Sequence, residues 1–173
     1  MNDASIEKAI RDIPDFPKKG VMFKDITPLL GDVELFAKAV KAMSGPFRKS
    51  GIPMVLGSES RGFILAAPIA LELGAGVVPV RKKGKLPYKT MSAEYELEYG
   101  IDILEMHEDA VKPGDKVLIV DDVLATGGTA SAMIELAEKL GAEVAGISML
   151  IELEFLHGKQ KIGDKTMFSL LKY

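Results

Sequence analysis

Two adjacent carboxylates, Asp121 and Asp122, are the residues of this chain best placed to do chemistry. They follow an aliphatic run at residues 117–120 that predicts a strand buried on both faces. A loop and an amphipathic helix come next, and the loop consists of Ala125, Thr126, Gly127, Gly128 and Thr129. Small residues let backbone N–H groups approach phosphate oxygens, and a helix N-terminus favours negative charge. The stretch therefore predicts a sugar-phosphate site in which the two aspartates accept hydrogen bonds from ribose hydroxyls.

Two common nucleotide-binding motifs are excluded at this position. A Walker A loop requires a lysine between its last glycine and the hydroxyl residue, and Gly127-Gly128-Thr129 has none. The G-x-G-x-x-G pattern of dinucleotide-binding proteins is also absent. The alternative without function is a strand end whose glycine turn begins a helix, with two merely solvated aspartates.

Composition narrows the class of protein further. The chain has 173 residues and a mass of 18.7 kDa, which fits one domain, and its net charge of -3 gives no reason to expect nucleic acid. It contains no cysteine, so disulfides and thiolate chemistry are excluded. The first residues lack the features of a signal peptide, and no apolar run approaches the ~20 residues of a membrane span. We therefore expect a cytoplasmic protein without membrane contact, and isolated His107 and His157 do not suggest a metal site.

Strands and helices alternate along the chain. The helical predictions are residues 6–13, ended by Pro14, residues 33–49 with Asp32 as N-cap, and residues 63–73, ended by Gly74. The strand predictions are residues 54–56, 77–80, 117–120, 144–151 and 167–171. The alternation predicts one doubly wound α/β domain with a mainly parallel sheet flanked by helices.

A dense basic segment, residues 81–89, follows the predicted strand 77–80. It is either a solvated loop or part of a ligand site, because open α/β sheets bind ligands beyond their strand ends. The acidic tract at residues 94–100 alternates, which predicts one arm of a hairpin whose basic and acidic arms face each other. Residues 16–28 are irregular but apolar, so they either cover the core or form a flat slot for an aromatic ligand, with Lys24 at its edge.

The central stretch resembles the motif with which type I phosphoribosyltransferases bind phosphoribosyl pyrophosphate (PRPP). Further segments, in the correct order, are similar to the adenine phosphoribosyltransferases of that family. These segments are Phe16-Pro17 with residues 20–28, Glu59-Ser60-Arg61-Gly62-Phe63, residues 81–87, Leu97-Glu98-Tyr99-Gly100 and Phe168-Ser169-Leu170-Leu171. The resemblance covers nearly the whole chain.

This resemblance implies a fold and an activity. The fold is the type I phosphoribosyltransferase fold in a single domain, residues 1–173, with a small N-terminal hood (approximately residues 1–30) and a flexible catalytic loop (approximately residues 81–100). The reaction is purine salvage: adenine and PRPP give AMP and pyrophosphate. The resemblance also implies a homodimer, and Mg²⁺ that arrives with PRPP and needs no protein ligand set of its own.

The resemblance assigns roles to individual residues. It implies that the catalytic residues are Glu98, Asp121 and Asp122, and that Glu98 accepts or donates the ring proton of adenine. The residues implied to bind the 5′-phosphate are Ala125, Thr126, Gly127, Gly128 and Thr129, and those implied to bind pyrophosphate are Ser60, Arg61, Arg81, Lys82 and Lys85. The residues implied to bind adenine are Val21, Met22, Phe23, Lys24, Val123 and Leu124.

Three positions carry further expectations. Ala125 stands where phosphoribosyltransferases for 6-oxopurines usually have an aspartate, which argues for adenine. Lys24 stands where many family members carry arginine. The lysine ammonium is a point charge and cannot make all the contacts of a planar guanidinium. We also predict a non-proline cis peptide bond at Glu59-Ser60, which would aim neighbouring N–H groups at the phosphates.

Overall fold

The computed structural model describes residues 3–97 and 100–173. Its strands are β1 (Arg11–Pro14), β2 (Met22–Asp25), β3 (Met54–Ser58), β4 (Gly76–Lys82), β5 (Thr90–Leu97), β6 (Gly100–His107), β7 (Lys116–Leu124), β8 (Glu143–Glu152) and β9 (Met167–Lys172). Its α-helices are α1 (Ala4–Glu7), α2 (Thr27–Gly31), α3 (Val33–Ser44), α4 (Arg61–Leu73) and α5 (Gly128–Lys139). Short 3₁₀ turns occur at Gly45–Phe47, Glu154–Leu156 and Gly158–Ile162.

The main sheet of the described residues has seven strands in the order β5-β6-β4-β3-β7-β8-β9. Strands β4, β3, β7, β8 and β9 run parallel, whereas β6 is antiparallel to β4 and β5 is antiparallel to β6. The predicted doubly wound, mainly parallel α/β fold is therefore confirmed. Strands β3 and β7 are neighbours at the centre, with Gly57 opposite Val120, so their carboxyl ends meet at one edge of the sheet.

Strand β7 contributes to two hydrophobic cores because its successive side chains point to opposite faces of the sheet. Val117 and Ile119 belong to the core under α5, and Leu118 and Val120 belong to the core under α3 and α4. All four are fully buried. Complete burial of such a side chain contributes about 1.5–3 kcal/mol, which accounts for the aliphatic run at this position.

Helix α3 begins where the sequence predicted and ends earlier. The Asp32 side chain accepts hydrogen bonds from the backbone N–H groups of Glu34 and Leu35, both at 3.0 Å, so the predicted N-cap is confirmed. The helix ends at Ser44 and not near residue 49. Pro46 explains the difference, because proline lacks the N–H that would continue the helix.

The N-terminal segment corrects the prediction for residues 6–13. Helix α1 ends at Glu7, and β1 then pairs antiparallel with β2, with Ile13 opposite Phe23. The Asp15 carboxylate accepts a hydrogen bond from Gly20 N–H at 2.7 Å and so closes the connecting turn. Pairing with β2 thus decides the conformation of a stretch whose apolar spacing fits a helix.

The acidic tract also pairs differently from the prediction. Strand β5 forms its hairpin with β6, and β6 lies between β5 and the basic end of β4. Arg81 is opposite Glu105 in the sheet, so the predicted facing of residues 81–89 and residues 94–100 is wrong. No helix among the described residues is long and apolar enough to cross a membrane.

Candidate active site

A cavity of about 700 Å³ lies at the carboxyl ends of β3 and β7. Its lining includes the hood residues 21–24, the acidic pair, the start of the loop after β7, and Leu153 and Leu156. A smaller cavity of about 150 Å³ adjoins it along residues 123–130. The two cavities share Tyr95, Asp121, Val123, Ala125, Thr126 and Thr129. Polar side chains near the strand ends and apolar side chains of the hood therefore line two adjoining cavities.

The acidic pair is buried at the base of the larger cavity. Asp121 and Asp122 are each 6% exposed, and the Asp122 backbone N–H donates a 2.8 Å hydrogen bond to Asp121 Oδ1. Burial raises the pKa of both carboxyl groups, and the negative charge of Asp122 raises the pKa of Asp121 further. Arg61 opposes this rise at Asp122, because its Nε lies 2.6 Å from Asp122 Oδ2. The contact is an ion pair without hydrogen-bond geometry, and Asp122 Oδ2 has no hydrogen-bond partner among the described residues.

Gly62 allows helix α4 to approach this pair. A Cβ atom at Gly62 would lie 2.7 Å from Ser58 Oγ and 2.9 Å from Asp121 Oδ1. Both distances are shorter than real contacts of a methyl group, so only glycine fits without movement. The beginning of α4, which carries Arg61, is therefore held directly against the acidic pair.

The loop after β7 packs tightly against Gly158. Gly127 has a φ of +82°, and a Cβ atom there would lie 2.3 Å from the Gly158 carbonyl oxygen. A Cβ atom at Gly158 would in turn lie 2.2 Å from the carbonyl oxygen of Ala125. The 3₁₀ turn Gly158–Ile162 thus supports the loop from behind and helps to shape the smaller cavity.

Val21, Met22, Phe23 and Lys24 all line the larger cavity from the hood. The Phe23 ring contacts Phe16 edge-on at 5.0 Å between centroids, and the Arg61 guanidinium carbon lies 4.8 Å from the Phe23 centroid. The Lys24 ammonium is engaged elsewhere, 2.7 Å from Asp12 Oδ1 and 3.6 Å from the centroid of the Tyr173 ring. A flat apolar ligand would meet the Phe23 side of this wall.

Comparisons with known proteins decide the family. The family model for the phosphoribosyl transferase domain matches residues 30–171. The adenine phosphoribosyltransferase of Desulfitobacterium hafniense (strain Y51) is 55% identical over 173 residues, 100% of both chains. The chain belongs to the adenine phosphoribosyltransferase family. The predictions of family and enzyme class are therefore confirmed.

Solved structures of adenine phosphoribosyltransferases agree with the fold described above. The enzyme from Rhodothermus marinus DSM 4252 is 52% identical with a TM-score of 0.94, covering 98% of this chain and 97% of its own. The enzyme from Saccharomyces cerevisiae, solved in complex with D-2,5-dideoxy-2,5-imino-altritol 1,6-bisphosphate and adenine, is 40% identical with a TM-score of 0.91. That match covers 96% of this chain and 97% of the yeast chain.

Of the residues predicted to bind pyrophosphate, two line the larger cavity and three do not. Ser60 and Arg61 line the larger cavity, whereas Arg81, Lys82 and Lys85 lie outside the lining of the described cavities. The predicted cis peptide bond at Glu59-Ser60 is confirmed.

Glu59 binds the first of these outlying cations. Arg81 donates to both Glu59 carboxylate oxygens, at 3.3 and 3.1 Å, and holds the pKa of Glu59 below its usual range. Arg81 Nη1 also donates to the Lys85 carbonyl oxygen at 3.1 Å. Lys82 Nζ lies 3.1 Å from Asp102 Oδ2. The basic segment is thus tied to carboxylates on β6 and on the loop after β3.

The other residues predicted for the site line one or both cavities, except for one that lies outside the described residues. Val123 lines both cavities, and Leu124, Gly127 and Gly128 line the smaller one. The predicted catalytic residue Glu98 lies outside the described residues.

The two cavities are also lined by residues that the sequence analysis did not predict. Tyr95 lines both cavities, and its hydroxyl donates to Asp102 Oδ2 at 3.1 Å. Burial and the Asp102 charge raise the pKa of Tyr95 to about 12, so the phenol stays protonated. Ser58, Leu104, Leu153 and Leu156 of the larger cavity, and Ala130 and Met149 of the smaller one, were also not predicted. Glu59 lies in a segment that the resemblance identified, but no role was predicted for its carboxylate. A polar residue in an alternating tract was the only signal for Tyr95.

Proposed function

We propose that this chain transfers the 5-phosphoribosyl group of PRPP to adenine in purine salvage, with AMP and pyrophosphate as products. The observation that carries the proposal is one cavity shared by a buried acidic pair, a small-residue loop at a helix N-terminus, and an apolar hood. The polar part suits a ribose phosphate and the apolar part suits a purine. Membership in the adenine phosphoribosyltransferase family, and the adenine bound to the 40% identical yeast enzyme, support the same assignment.

The sugar phosphate would occupy the acidic pair and the loop after β7. Backbone N–H groups and the hydroxyls of Thr126 and Thr129 would hold the 5′-phosphate beside the first turn of α5. A helix N-terminus favours an anion by ~0.3–1 kcal/mol when exposed and by more when partly buried. Asp121 and Asp122 would accept hydrogen bonds from the ribose hydroxyls, which places two carboxylates beside the anomeric carbon.

The chemistry follows from this placement. A ring nitrogen of adenine attacks the anomeric carbon, and the carbon–oxygen bond to pyrophosphate breaks with its electron pair leaving on oxygen. Positive charge grows on the ribose during this exchange, and the buried carboxylates stabilise it electrostatically. Glu98 accepts the proton that the adenine ring loses.

Cations near the cavity would take the leaving group. Arg61 and Ser60 already line the cavity, and Arg81, Lys82 and Lys85 follow on the adjoining strand end. Arg81 would exchange its Glu59 partner for a phosphate oxygen, a planar bidentate contact of the same kind. Mg²⁺ would enter with PRPP and neutralise the diphosphate, since magnesium commonly binds through substrate phosphates and water. Asp121 and Asp122 are two of the oxygen donors in the lining that could complete the coordination of such an ion without forming a ligand set of their own.

We also propose a homodimer in the cytoplasm. Ile64 and Leu71 lie two turns apart on one face of α4 and are 44% and 83% exposed, which suits an apolar subunit contact. PRPP is multiply charged and does not cross an apolar bilayer unaided, so its consumer works in the compartment where PRPP is made.

Base selectivity is the first test of the proposal. We expect PRPP-dependent turnover with adenine and much slower turnover with hypoxanthine, guanine and orotate, because Ala125 offers no carboxylate to a 6-oxopurine. Nucleotide formation from each base, followed by chromatography at equal base concentrations, measures this. Faster turnover of any base other than adenine would exclude the assignment.

Glu98→Gln tests the predicted proton acceptor. The amide keeps the size of the side chain and cannot take a proton, so kcat is expected to fall by ~10²–10⁴ with little change in PRPP affinity. Glu94→Gln, on the described part of the same acidic tract, is the matched control and is expected to leave kcat unchanged. Wild-type turnover in Glu98→Gln would remove Glu98 from the mechanism.

A further inference from the structure

The Lys24 ammonium is held from two sides although it belongs to a residue of the cavity wall. Asp12 Oδ1 lies 2.7 Å from Nζ, the Tyr173 ring centroid lies 3.6 Å from it, and the Lys24 side chain is 10% exposed. From these contacts we infer that Tyr173 is a positioning residue of the adenine site and acts on the hood through Lys24. This inference rests on the proposed function, since it concerns where the base binds.

Lys24 connects the contact to the hood wall. It lies on β2 next to Phe23, opposite Asp12 of β1, and both Lys24 and Phe23 line the larger cavity. A displacement of the Lys24 side chain would therefore move the backbone that carries Phe23. The position of this wall sets the width available to a flat base.

Tyr173 connects the contact to a second segment that lines the cavity. Its backbone N–H donates to the Glu152 carbonyl oxygen at 3.0 Å, and its carbonyl oxygen accepts from Glu154 N–H at 2.8 Å. Leu153, between these two residues, lines the same cavity as Phe23 and Lys24. The Lys24–Tyr173 contact therefore joins the hood to the segment that carries Leu153.

The ring, and not the carboxylate, carries most of this attachment. The Asp12 side chain is 53% exposed, so water screens its ion pair with Lys24. Tyr173 packs against the core under α3 and α4, and a cation over a partly desolvated ring is held more strongly than one in water. Asp12 would then contribute less than Tyr173 to the position of the hood.

The contact is separate from the PRPP residues. Asp121 and Asp122 lie on the central strand β7 and the small-residue loop follows it, whereas the Lys24–Tyr173 pair joins β2 to the residue after β9. A loosened hood should therefore weaken adenine binding and leave PRPP binding largely intact. A general loss of stability would instead affect both substrates.

Kinetics of paired variants test the inference. Tyr173→Leu is expected to raise the KM for adenine about tenfold and to change the KM for PRPP by less than about twofold. Tyr173→Phe keeps the ring and should behave as wild type, and Asp12→Asn should change the adenine KM by less than about threefold. Lys24→Met should reproduce Tyr173→Leu, and the double variant should show no further rise, because the two residues act as one unit.

The outcomes separate the inference from the proposed function. Wild-type protein that forms no AMP from adenine and PRPP would overturn both. An active wild type with an unchanged adenine KM in Tyr173→Leu and Lys24→Met would overturn only the inference. Parallel rises in both KM values, together with a lower Tm, would assign Tyr173 a merely structural role and would also overturn it.

Discussion

Replacement of Asp121 by asparagine is expected to raise the Tm of this protein at neutral pH while it lowers kcat by roughly 10²–10³. The loss of turnover follows from the proposed role of the carboxylate, which is to stabilise positive charge on the ribose. The gain in stability follows from burial, because at neutral pH the folded protein must either keep a proton on Asp121 or bury a second negative charge beside Asp122, and either costs free energy relative to the unfolded chain. Asparagine is neutral, and its oxygen can still accept the hydrogen bond from Asp122 N–H.

The pH dependence of the gain has a definite sign. The pKa of Asp121 is raised in the folded protein, so the folded state holds a proton that the unfolded state releases above about pH 4. The contribution of Asp121 to the free energy of unfolding is therefore fully present at low pH. It is lost as the pH rises toward the raised pKa that Asp121 has in the folded protein. Asparagine does not titrate, so the variant does not lose stability in this way. The difference in Tm between Asp121→Asn and the wild type should therefore be larger at about pH 8 than at about pH 5.5.

Asp121→Asn is expected to change Tm by a modest amount and kcat by a large factor. An advantage of about 1–2 kcal/mol corresponds to roughly 2–8 °C in a chain of this length. Thermal unfolding at the two pH values and steady-state kinetics provide the measurements. A lower Tm at both pH values would contradict the prediction, as would an advantage that grows toward acid.

Asp122→Asn is the matched control for this experiment. Asp122 lies 2.6 Å from Arg61 Nε, so its removal leaves a guanidinium without its anionic partner. That loss offsets the relief of repulsion, and we expect little gain in Tm or a decrease. Turnover should fall in both variants, since both carboxylates are proposed to bind the ribose. The difference between the two Tm changes therefore reports on Arg61.

Gly158→Ala is expected to raise the KM for PRPP about 10²-fold and to lower the free energy of unfolding by about 1–3 kcal/mol. The added methyl group would lie 2.2 Å from the Ala125 carbonyl oxygen and 2.8 Å from Gly127 N. Both are backbone atoms of the loop, so the loop itself must move and cannot keep its amides in place. Steady-state kinetics with varied PRPP and chemical denaturation measure the two effects.

Gly45→Ala is the matched control for this glycine. A Cβ atom there meets no heavy atom within 4 Å among the described residues, and Gly45 has a helical φ of -49°. Its PRPP kinetics should be those of the wild type, and its stability should change little. An unchanged PRPP KM in Gly158→Ala would show that the loop tolerates displacement and would remove Gly158 from the phosphate site.

Local pattern was sufficient to predict most of the sheet and many of the residues that line the two cavities. The fully apolar run in β7 predicts a strand buried on both faces, and Asp32 predicts the start of α3, because each depends only on neighbours in sequence. The acidic pair and the small-residue loop follow the same logic, since a phosphate site needs small residues beside a helix N-terminus. These features indicate a sugar-phosphate site through the types and spacing of adjacent residues alone.

Two corrections show where local pattern fails. Residues 6–13 have apolar spacing that fits a helix, yet Ile13 pairs with Phe23 in a hairpin. The acidic tract was predicted to face the basic segment, yet β6 lies between them. In both cases the partner strand decided the conformation, and strand partners are chosen by tertiary packing and not by spacing.

The sequence by itself determined the α/β class, the acidic pair with its small-residue loop, and the resemblance that names the family. Only the tertiary structure decided which distant residues contact these segments: Gly158 packs against the loop, Tyr95 lines both cavities, and Tyr173 lies against Lys24. Motifs act over a few residues, where covalent connection fixes the geometry. Contacts between distant segments depend on how whole elements pack, and Lys24 and Tyr173 meet only after β2 and β9 have taken their places.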